Sequence, residues 1–553
     1  INLVRGIGRG VAPEGHYLDA ARQDRTSADW PRTAVSADGG IIPDLGMANA
    51  RSRAAVVNDW SARSIQGVYR RHVVGIGITA RSAARDPETG KETPVFKTFN
   101  KQIDMLHDWW AHRPWLCDVE KTKNLAEIDG LAISDFAAVG EAFCIHTFQP
   151  RRGMVGMAIQ MFEVEQLDCT VTRNADNGNE VRGGIEVDGN GVAVAFWLYT
   201  GGHPLDGMFY RGPGSSTRVS ADRVYQVIRQ DRVRQTHGLS QLAAVLEDIY
   251  QLKGYKQAEA VGKRLDACVG LKKRYEQWYT PDGAAGFGGL GAIPGTVGGA
   301  ANTTDARGNT KVRFEPGMVV DPGYGQYYES HVSQRPGAQY DSYIKRSEDQ
   351  VAAGAGVDSS HMTRNFNDGT YTSQRQGSLE LDREMDPIQA NLLIDQWARP
   401  RREAFKLYAV LQGLVKAPGM FEDDFLMMAY LQEDWAGPPK PWVDPRNQAQ
   451  ATQVALEAGL TDLRREKNIL GGDWRDAVHQ RRSEQDLVEQ EGVTLSWLNP
   501  SKAASPFAGN GAAAGDPPVI DLLADPADAA GDAADDPSRR DAKPAKEEAL
   551  ANV

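Results

Sequence analysis

The stretch VRGGIEVDGNGVAVAFWLY (residues 181–199) limits what this chain can fold into more than any other. Two runs rich in β-branched and aromatic residues flank Asp188, Gly189, Asn190 and Gly191, which accept the positive φ of a tight hairpin turn at little cost. A β-hairpin therefore sits inside a chain whose neighbouring segments are patterned largely as helix. Phe99, Ile103, Leu106 and Trp110, spaced 4, 3 and 4 apart, mark one helix face, and Leu125, Ile128, Ala132, Phe136 and Val139 mark another. EAFCIHTF (141–148) and GMAIQMFEVEQ (156–166) read as strands, and RDPETGKE (85–92) as a turn. Residues 49–71 carry Ala54, Val57, Ser61, Ile65 and Val68 on one helical face, and 72–80 follow as a predicted strand. Residues 46–236 are thus expected to form a mixed α and β body, preceded by an extended arm over 1–45.

Residues 239–268 read as a long helix with Leu239, Leu242, Leu246, Ile249 and Tyr250 along one stripe and Val261, Leu265 and Cys268 carrying it onward; Gly254 and Gly262 weaken it. The glycine-rich segment 282–309 has no lysine and no helix at the spacing of a phosphate cradle, which leaves a flexible connecting loop. Residues 309–320 resume as a strand pair turning at Pro316-Gly317, and 338–356 return to helix. Residues 374–415 are mostly helical, with Pro387 and Pro400 expected to kink or break the run. Three short helices follow. Asp444-Pro445 starts the first, Gly459 ends it, Gly471-Gly472 ends the second, and Asp473 caps the third. Residues 501–553 are rich in Ala, Asp and Pro and are expected to be disordered.

Chemistry is sparse. The four cysteines, Cys117, Cys144, Cys169 and Cys268, have no zinc-ligand spacing, and a reducing compartment with buried or inert thiols is expected. His107 and His112 lie five residues apart on a helix, so their rings splay rather than share a metal. No nucleophile elbow, zinc-protease pair or calcium loop is present, so no catalytic residue, metal or cofactor is expected. Glu422, Asp423 and Asp424 read as a solvated acidic turn. Arg399, Arg401 and Arg402, diluted by Glu403, read as a solvated helix face or a phosphate contact. No apolar run approaches the ~20 residues of a membrane span, and no secretory signal opens the sequence, so a soluble protein is expected. A net charge of −12 argues against a free-standing DNA reader but leaves room for a small basic ring.

Four stretches, taken in order, resemble the lambda-type portal proteins of tailed bacteriophages. They are ARSRAAVVNDWSARSIQGVYRRHVVGIGI; VRGGIEVDGNGVAVAFWLYTGGHP with VIRQDRVRQTHGLSQLAAVLEDIYQLKGYKQAE; VAAGAGVDSSHMTRNFNDGTYTSQR; and WVDPRNQAQATQVALEAGLTDLRREKNILGGDW. The resemblance spans residues 17–493. Thr372 stands in place of a usual serine, QTHG replaces a more usual Arg-Pro-Gly-Gln-x-Arg-Gly, and 282–309 is longer than the pattern. The resemblance implies an α+β subunit that assembles into a ring, typically of twelve, at one capsid vertex. Its parts would be a wing (46–236), a stem of two helices (237–268 and 336–362), a clip between them (269–335), a tunnel loop (363–374), a long kinked helix and wing return (375–443), a helical crown (444–498) and a tail (499–553). The implied partners are other copies of the chain, double-stranded DNA, the terminase large subunit, a head–tail connector, the major capsid protein and its scaffold, with no membrane. A connector or minor capsid component, or a nuclease or protease subunit, are the competing readings; the first lacks a crown-like helix set and the second lacks a catalytic cluster.

The resemblance also gives meaning to NFNDGTYTSQRQG (365–377), a polar stretch that cannot build a core. Asn365, Asn367, Thr370, Tyr371, Thr372 and Ser373 offer neutral hydrogen-bonding groups and one flat ring, and Arg364 and Arg375 flank them. Such residues suit a loop that touches DNA without gripping it, whereas dense Lys and Arg contacts bind tightly and with strong salt dependence. The two arginines would give a mild positive ring or pair with neighbouring subunits.

Overall fold

A computed structural model describes residues 33–174, 176–199, 216–268, 271–275, 303–304, 310–311, 326–330, 337, 339–367, 369–440 and 445–491. The arm up to residue 32, most of 282–309, the turn at Pro316-Gly317, the cap at Asp444 and the tail 501–553 lie outside the described residues. The chain divides into Ile1–Ala477 and Val478–Val553, and the second unit is described only for the helical turns that reach Gln490 and for Glu491.

The body is α+β. A three-stranded antiparallel sheet has Glu141–Phe148 in the centre, between Met157–Phe162 and Val224–Ile228. A four-stranded antiparallel meander runs Glu180–Arg182, Ile185–Val187, Ala193–Tyr199, Ser216–Ser220, and its central pair is the hairpin predicted at Asp188–Gly191, with Gly191 at φ 87°. The helix Leu125–Val139 packs against the first sheet, Trp60–Tyr69 packs on that helix, and Pro94–Ala111 reaches the sheet's Met157 edge through Trp110. Phe99, Ile103, Leu106 and Trp110 are all buried, as their spacing predicts, and each large apolar side chain of this kind contributes about 1.5–3 kcal/mol. The polar ends of the buried aromatics are satisfied: Trp110 Nε1 donates to Met157 O (2.8 Å), Trp397 Nε1 to Asp129 (2.9 Å), and the Tyr69 hydroxyl to Ala355 O (2.9 Å).

Several sequence expectations change here. The first helix covers Ala37–Asn58, capped by Ser36, so 37–45 are helical rather than an extended arm. Asp59 interrupts it and caps the next helix, which rotates the buried face. Ser61, Ile65 and Val68 are buried as expected, whereas Ala54 and Val57 point outward and Leu45, Ser52 and Val56 point in. His72, Val73 and Val74 complete a π-helical turn, Arg70–Val74, and the strand begins only at Thr79–Ser82. A short β-branched run is ambiguous by pattern, and burial of Val73 and Val74 in the helical core decides it. Thr79–Ser82 then pairs with Glu433–Ala436 from far along the chain.

The helix expected from residue 239 starts at Leu246 and runs to Cys268 through Gly254 and Gly262. Ahead of it, Gly238 and Leu239 lie backbone to backbone against Gly140, whose φ is 90°, closer than any side chain allows. Beside this joint His237 is buried. Its Nδ1 meets Glu141 Oε1 at 2.9 Å and its Nε2 meets Arg182 O at 3.3 Å, while Gln226 donates to the second Glu141 oxygen. The Leu246–Cys268 helix packs on Tyr340–Gly354: Lys256 pairs with Glu348 (2.7 Å), and Lys263 lies over the Tyr340 ring (5.3 Å). The reversed order of those contacts makes the two helices antiparallel. Two further strand pairs, Leu271–Tyr275 with Gln326–Ser330 and Thr303–Thr304 with Thr310–Lys311, lie in the segment between them.

Residues 371–411 form one helical run, Tyr371–Pro387, a π-helix Ile388–Ala398 and Arg399–Leu411. Pro387 and Pro400 therefore do not break it. The hydrogen-bonding pattern widens between them, and Gln389 and Gln396 in the widened part bond Val73 O (2.6 Å) and the Ile228 amide (2.9 Å). The three terminal helices, Pro445–Glu457, Leu463–Ile469 and Trp474–Gln490, appear where their caps predict, with Gly459, Gly471 and Gly472 at positive φ and Asp473 accepting from the Arg475 amide.

Candidate functional site

The polar stretch forms a helix–loop–helix turn. The short helix Ser359–Thr363, capped by Asp358, ends at Arg364 in the left-handed region (φ 57°). The chain then crosses to Thr370, which caps Tyr371–Pro387 by accepting from the Ser373 amide (3.3 Å). Tyr371, Thr372, Ser373 and Arg375 are thus in the first helical turns rather than in the loop, which is shorter than the expected 363–374. The threonine followed by a helical pattern was the signal for that boundary.

The loop is held by its own polar groups. Asn365 Oδ1 accepts from the Asn367 amide (3.1 Å), Ser373 Oγ donates to Thr370 O (2.9 Å), and Gln374 Nε2 donates to Phe366 O and Gly369 O. Phe366 is half exposed and stands edge-on to His361 (5.5 Å between centroids), pinning the loop to the preceding helix. Sequence reading missed Phe366 and Gln374 as the residues that hold this shape. A side chain at Gly377 would press on the Asp358 carboxylate, so the two helices cross closely. Arg364, Asn365, Asn367, Thr370, Thr372 and Ser373 are exposed together around this turn. Arg375 is exposed but separates from them. It lines a cleft of about 970 Å³ with Asp382, Asp386, Arg464 and Arg465, between the long helix and the Pro445–Glu457 and Leu463–Ile469 helices.

The other candidates resolve differently. Arg401 and Arg402 are neither a solvated face nor free for phosphate. They are 3% and 2% exposed, and pair with Asp129 (2.7 Å), and with Asp104 (2.6 Å) and Glu433 (2.9 Å). Lys406, wholly buried beside them, donates to the carbonyls of Tyr430, Leu431 and Gln432 and lies 3.1 Å from Glu433; burial pulls its pKa down to about 8. Only Arg399 stays on the surface, paired with Asp395. His107 is buried between Trp110 and Phe405, which drives its pKa well below the usual range, and His112 is exposed. Glu422–Asp424 is exposed, and Asp423 caps the Asp424–Leu431 helix. Cys117 and Cys144 are buried, and Cys169 is exposed. Among the described residues no group of three or more His, Cys, Asp or Glu side chains is arranged to hold a metal ion, and no helix is long and apolar enough to cross a membrane.

Comparison with known proteins is extensive. The family described as phage portal protein, lambda family, matches residues 23–389. A probable portal protein of Halomonas phage phiHAP-1 is 23% identical over 468 residues, covering 83% of this chain and 84% of that protein. Portal protein B of Escherichia phage lambda is 20% identical over 489 residues, covering 82% and 86%. Among solved structures, a chain in the C12-symmetric neck of a native gene transfer agent particle aligns over 77% of this chain and 93% of its own length, with 13% identity and a TM-score of 0.39.

Proposed function

This chain belongs to the lambda family of phage portal proteins, and on that premise we propose how its parts serve the passage of DNA. It is a portal protein, a structural component of the virion at the capsid vertex. Copies of the chain close into a ring, twelve by the family's usual number, and double-stranded DNA enters and leaves through the bore. The antiparallel helices Leu246–Cys268 and Tyr340–Gly354 are the stem, residues 46–236 the wing, 269–335 the clip, the turn around 364–373 the tunnel loop, and the three terminal helices the crown. The terminase large subunit and later a head–tail connector dock at the clip, while the major capsid protein and scaffold surround the wing. The subunit itself carries out no catalysis.

The observation that carries the channel reading is the cluster of exposed, neutral, hydrogen-bonding side chains at Asn365, Asn367, Thr370, Thr372 and Ser373 on a self-bonded turn. Each neutral hydrogen bond nets only ~1 kcal/mol against water, so contacts of this kind are remade as a duplex slides past. Thr372→Lys places an ammonium there and is expected to slow or stall packaging while rings still assemble. Packaging at the wild-type rate refutes the sliding contact. Negative-stain images of the purified protein test the ring itself, which needs a bore of roughly 30–40 Å to pass a hydrated duplex, a size scaled from groove dimensions. Shortening 282–309 is expected to weaken terminase capture in a pull-down, and undiminished capture removes the clip from that role.

A further inference from the structure

At the root of the loop stand two arginines, Arg71 and Arg364, whose side chains have no partner among the described residues. The π-helical turn Arg70–Val74 and the helix before it pack against Ser359–Thr363. Ser64 Oγ donates to Met362 O (2.6 Å), and the His72 and His361 rings meet edge to face with centroids 5.5 Å apart. That contact brings Arg71, the neighbour of His72, beside Arg364, three residues after His361. The Arg71 guanidinium runs back over Gly67, where a Cβ would stand 3.0 Å from Nη1. Arg364 is fixed in its left-handed conformation at the helix end. Both are exposed, and neither side chain makes a hydrogen bond or ion pair among the described residues. Partial burial and then the Arg364 charge lower the Arg71 pKa, as expected of like charges at close quarters. The nearby carboxylates are engaged elsewhere: Asp358 accepts from Ser360 and His361, and Asp382 and Asp386 hold Lys440.

Two exposed forks of N–H donors, repelling each other and with no counter-charge among the described residues, are complementary to one anionic tetrahedral group, because guanidinium pairs match phosphate oxygens in geometry as well as charge. We propose that Arg71 and Arg364 together seat a backbone phosphate of duplex DNA at the root of the tunnel loop. This rests on the reading of that loop as facing DNA. The neutral loop residues slide, and the arginine pair supplies the sequence-independent, salt-tuned attraction that keeps the polyanion near them. The residues come from segments almost three hundred positions apart, so the seat exists only in the folded subunit.

The test is fluorescence anisotropy of a short blunt duplex titrated with the assembled full-length protein between 50 and 200 mM NaCl. Compared are wild type, Arg71→Gln, Arg364→Gln, the double Gln variant and the double Lys variant. The slope of log K against log salt is expected to fall by ~0.9 for each phosphate no longer neutralised, which shrinks the salt-induced drop in affinity over that range by about threefold to fourfold per phosphate. Lysine at both positions restores the slope. Equal slopes for wild type and the double Gln variant, with wild-type binding intact, overturn the seat and leave the loop's reading standing. A wild-type ring with no salt-dependent duplex binding overturns both. Inorganic phosphate that binds the wild type but not the double Gln variant, with the duplex slope unchanged between them, assigns the site to free phosphate and overturns the DNA assignment. Loss of the ring by mass measurement in the double Gln variant, restored by lysine without any change of slope, assigns the arginines to a neighbouring copy and overturns it also.

Discussion

Arg402→Met tests the buried ion network at the centre of the body. The guanidinium is 2% exposed and reaches two carboxylates, Asp104 at 2.6 Å and Glu433 at 2.9 Å, the second close in distance but off the N–H direction. Methionine keeps the apolar stem and removes the charge. Glu433, whose side chain is fully buried, is left with Lys406 at 3.1 Å, and Asp104 with the Ser82 amide at 2.9 Å. Removing one partner of a buried pair costs about 3–5 kcal/mol. Both carboxylates keep a second partner and the Glu433 pairing is poorly aligned to begin with, so the low end applies, ~3 kcal/mol. At 1.4 kcal/mol per factor of ten, this raises the population of locally opened molecules roughly 100-fold. The opened element is the pair Thr79–Ser82 with Glu433–Ala436, which carries Glu433 and the Asp104-bound Ser82 amide. Native-state hydrogen exchange resolved at those amides reads the change directly. Arg399→Met is the control: exposed and paired one helical turn away with Asp395, it is worth ~0.3–0.5 kcal/mol, about a twofold change. Exchange in Arg402→Met within threefold of wild type, or equal acceleration in Arg399→Met, refutes the assignment of a buried structural charge.

Two further outcomes follow from the joint ahead of the Leu246–Cys268 helix. His237, facing Glu141, the Arg182 carbonyl and more distantly Asp38, has its pKa raised despite burial, chiefly by Glu141. A raised folded pKa stabilises fully below the unfolded value near 6.5 and is lost as pH rises through the folded value. Wild type should therefore lose melting temperature relative to His237→Gln as pH climbs above 6.5, and a flat difference between their melting curves from pH 5 to 9 removes His237 as the titrating group. Gly238→Ala drives a methyl group into the Gly140 carbonyl and is expected to cost ~3 kcal/mol or more, read as a melting temperature lower by roughly 3 °C or more, or as loss of soluble protein. At ~2.1 cal/mol/K per residue, a chain of 553 residues moves by only about 1 °C per kcal/mol, so a melting temperature within ~0.5 °C of wild type shows that the two backbones part easily.

Local signals carried far in this chain. The terminal helices were legible because their boundaries are written in single residues: Gly459 and Gly471 adopt positive φ, and Asp473 caps by its own side chain. The Asp188–Gly191 hairpin and the Phe99–Trp110 face were legible for the same reason, since turn chemistry and helical period act over a few residues. The candidate loop was legible as a polar turn. Its length was not, because Thr370 begins a helix that the polar composition of 371–377 conceals.

By itself the sequence determined caps, the hairpin and the helical faces, all of which depend on neighbours within a turn or two, and the ordered motifs of its family, whereas the helix over 37–45 and the π-helical turn at Arg70–Val74 needed the packing around them. Only the tertiary structure decided the fate of charge. Arg399, Arg401 and Arg402 are near-identical in sequence context, yet the first meets water, while the others meet Asp129, Asp104 and Glu433, brought from up to about three hundred residues away. Arg71 and Arg364 are brought together in the same way, with no partner among the described residues. A helical period says which side chains share a face, and what packs opposite that face sets whether a cation there is solvated, buried and paired, or left for a polyanion.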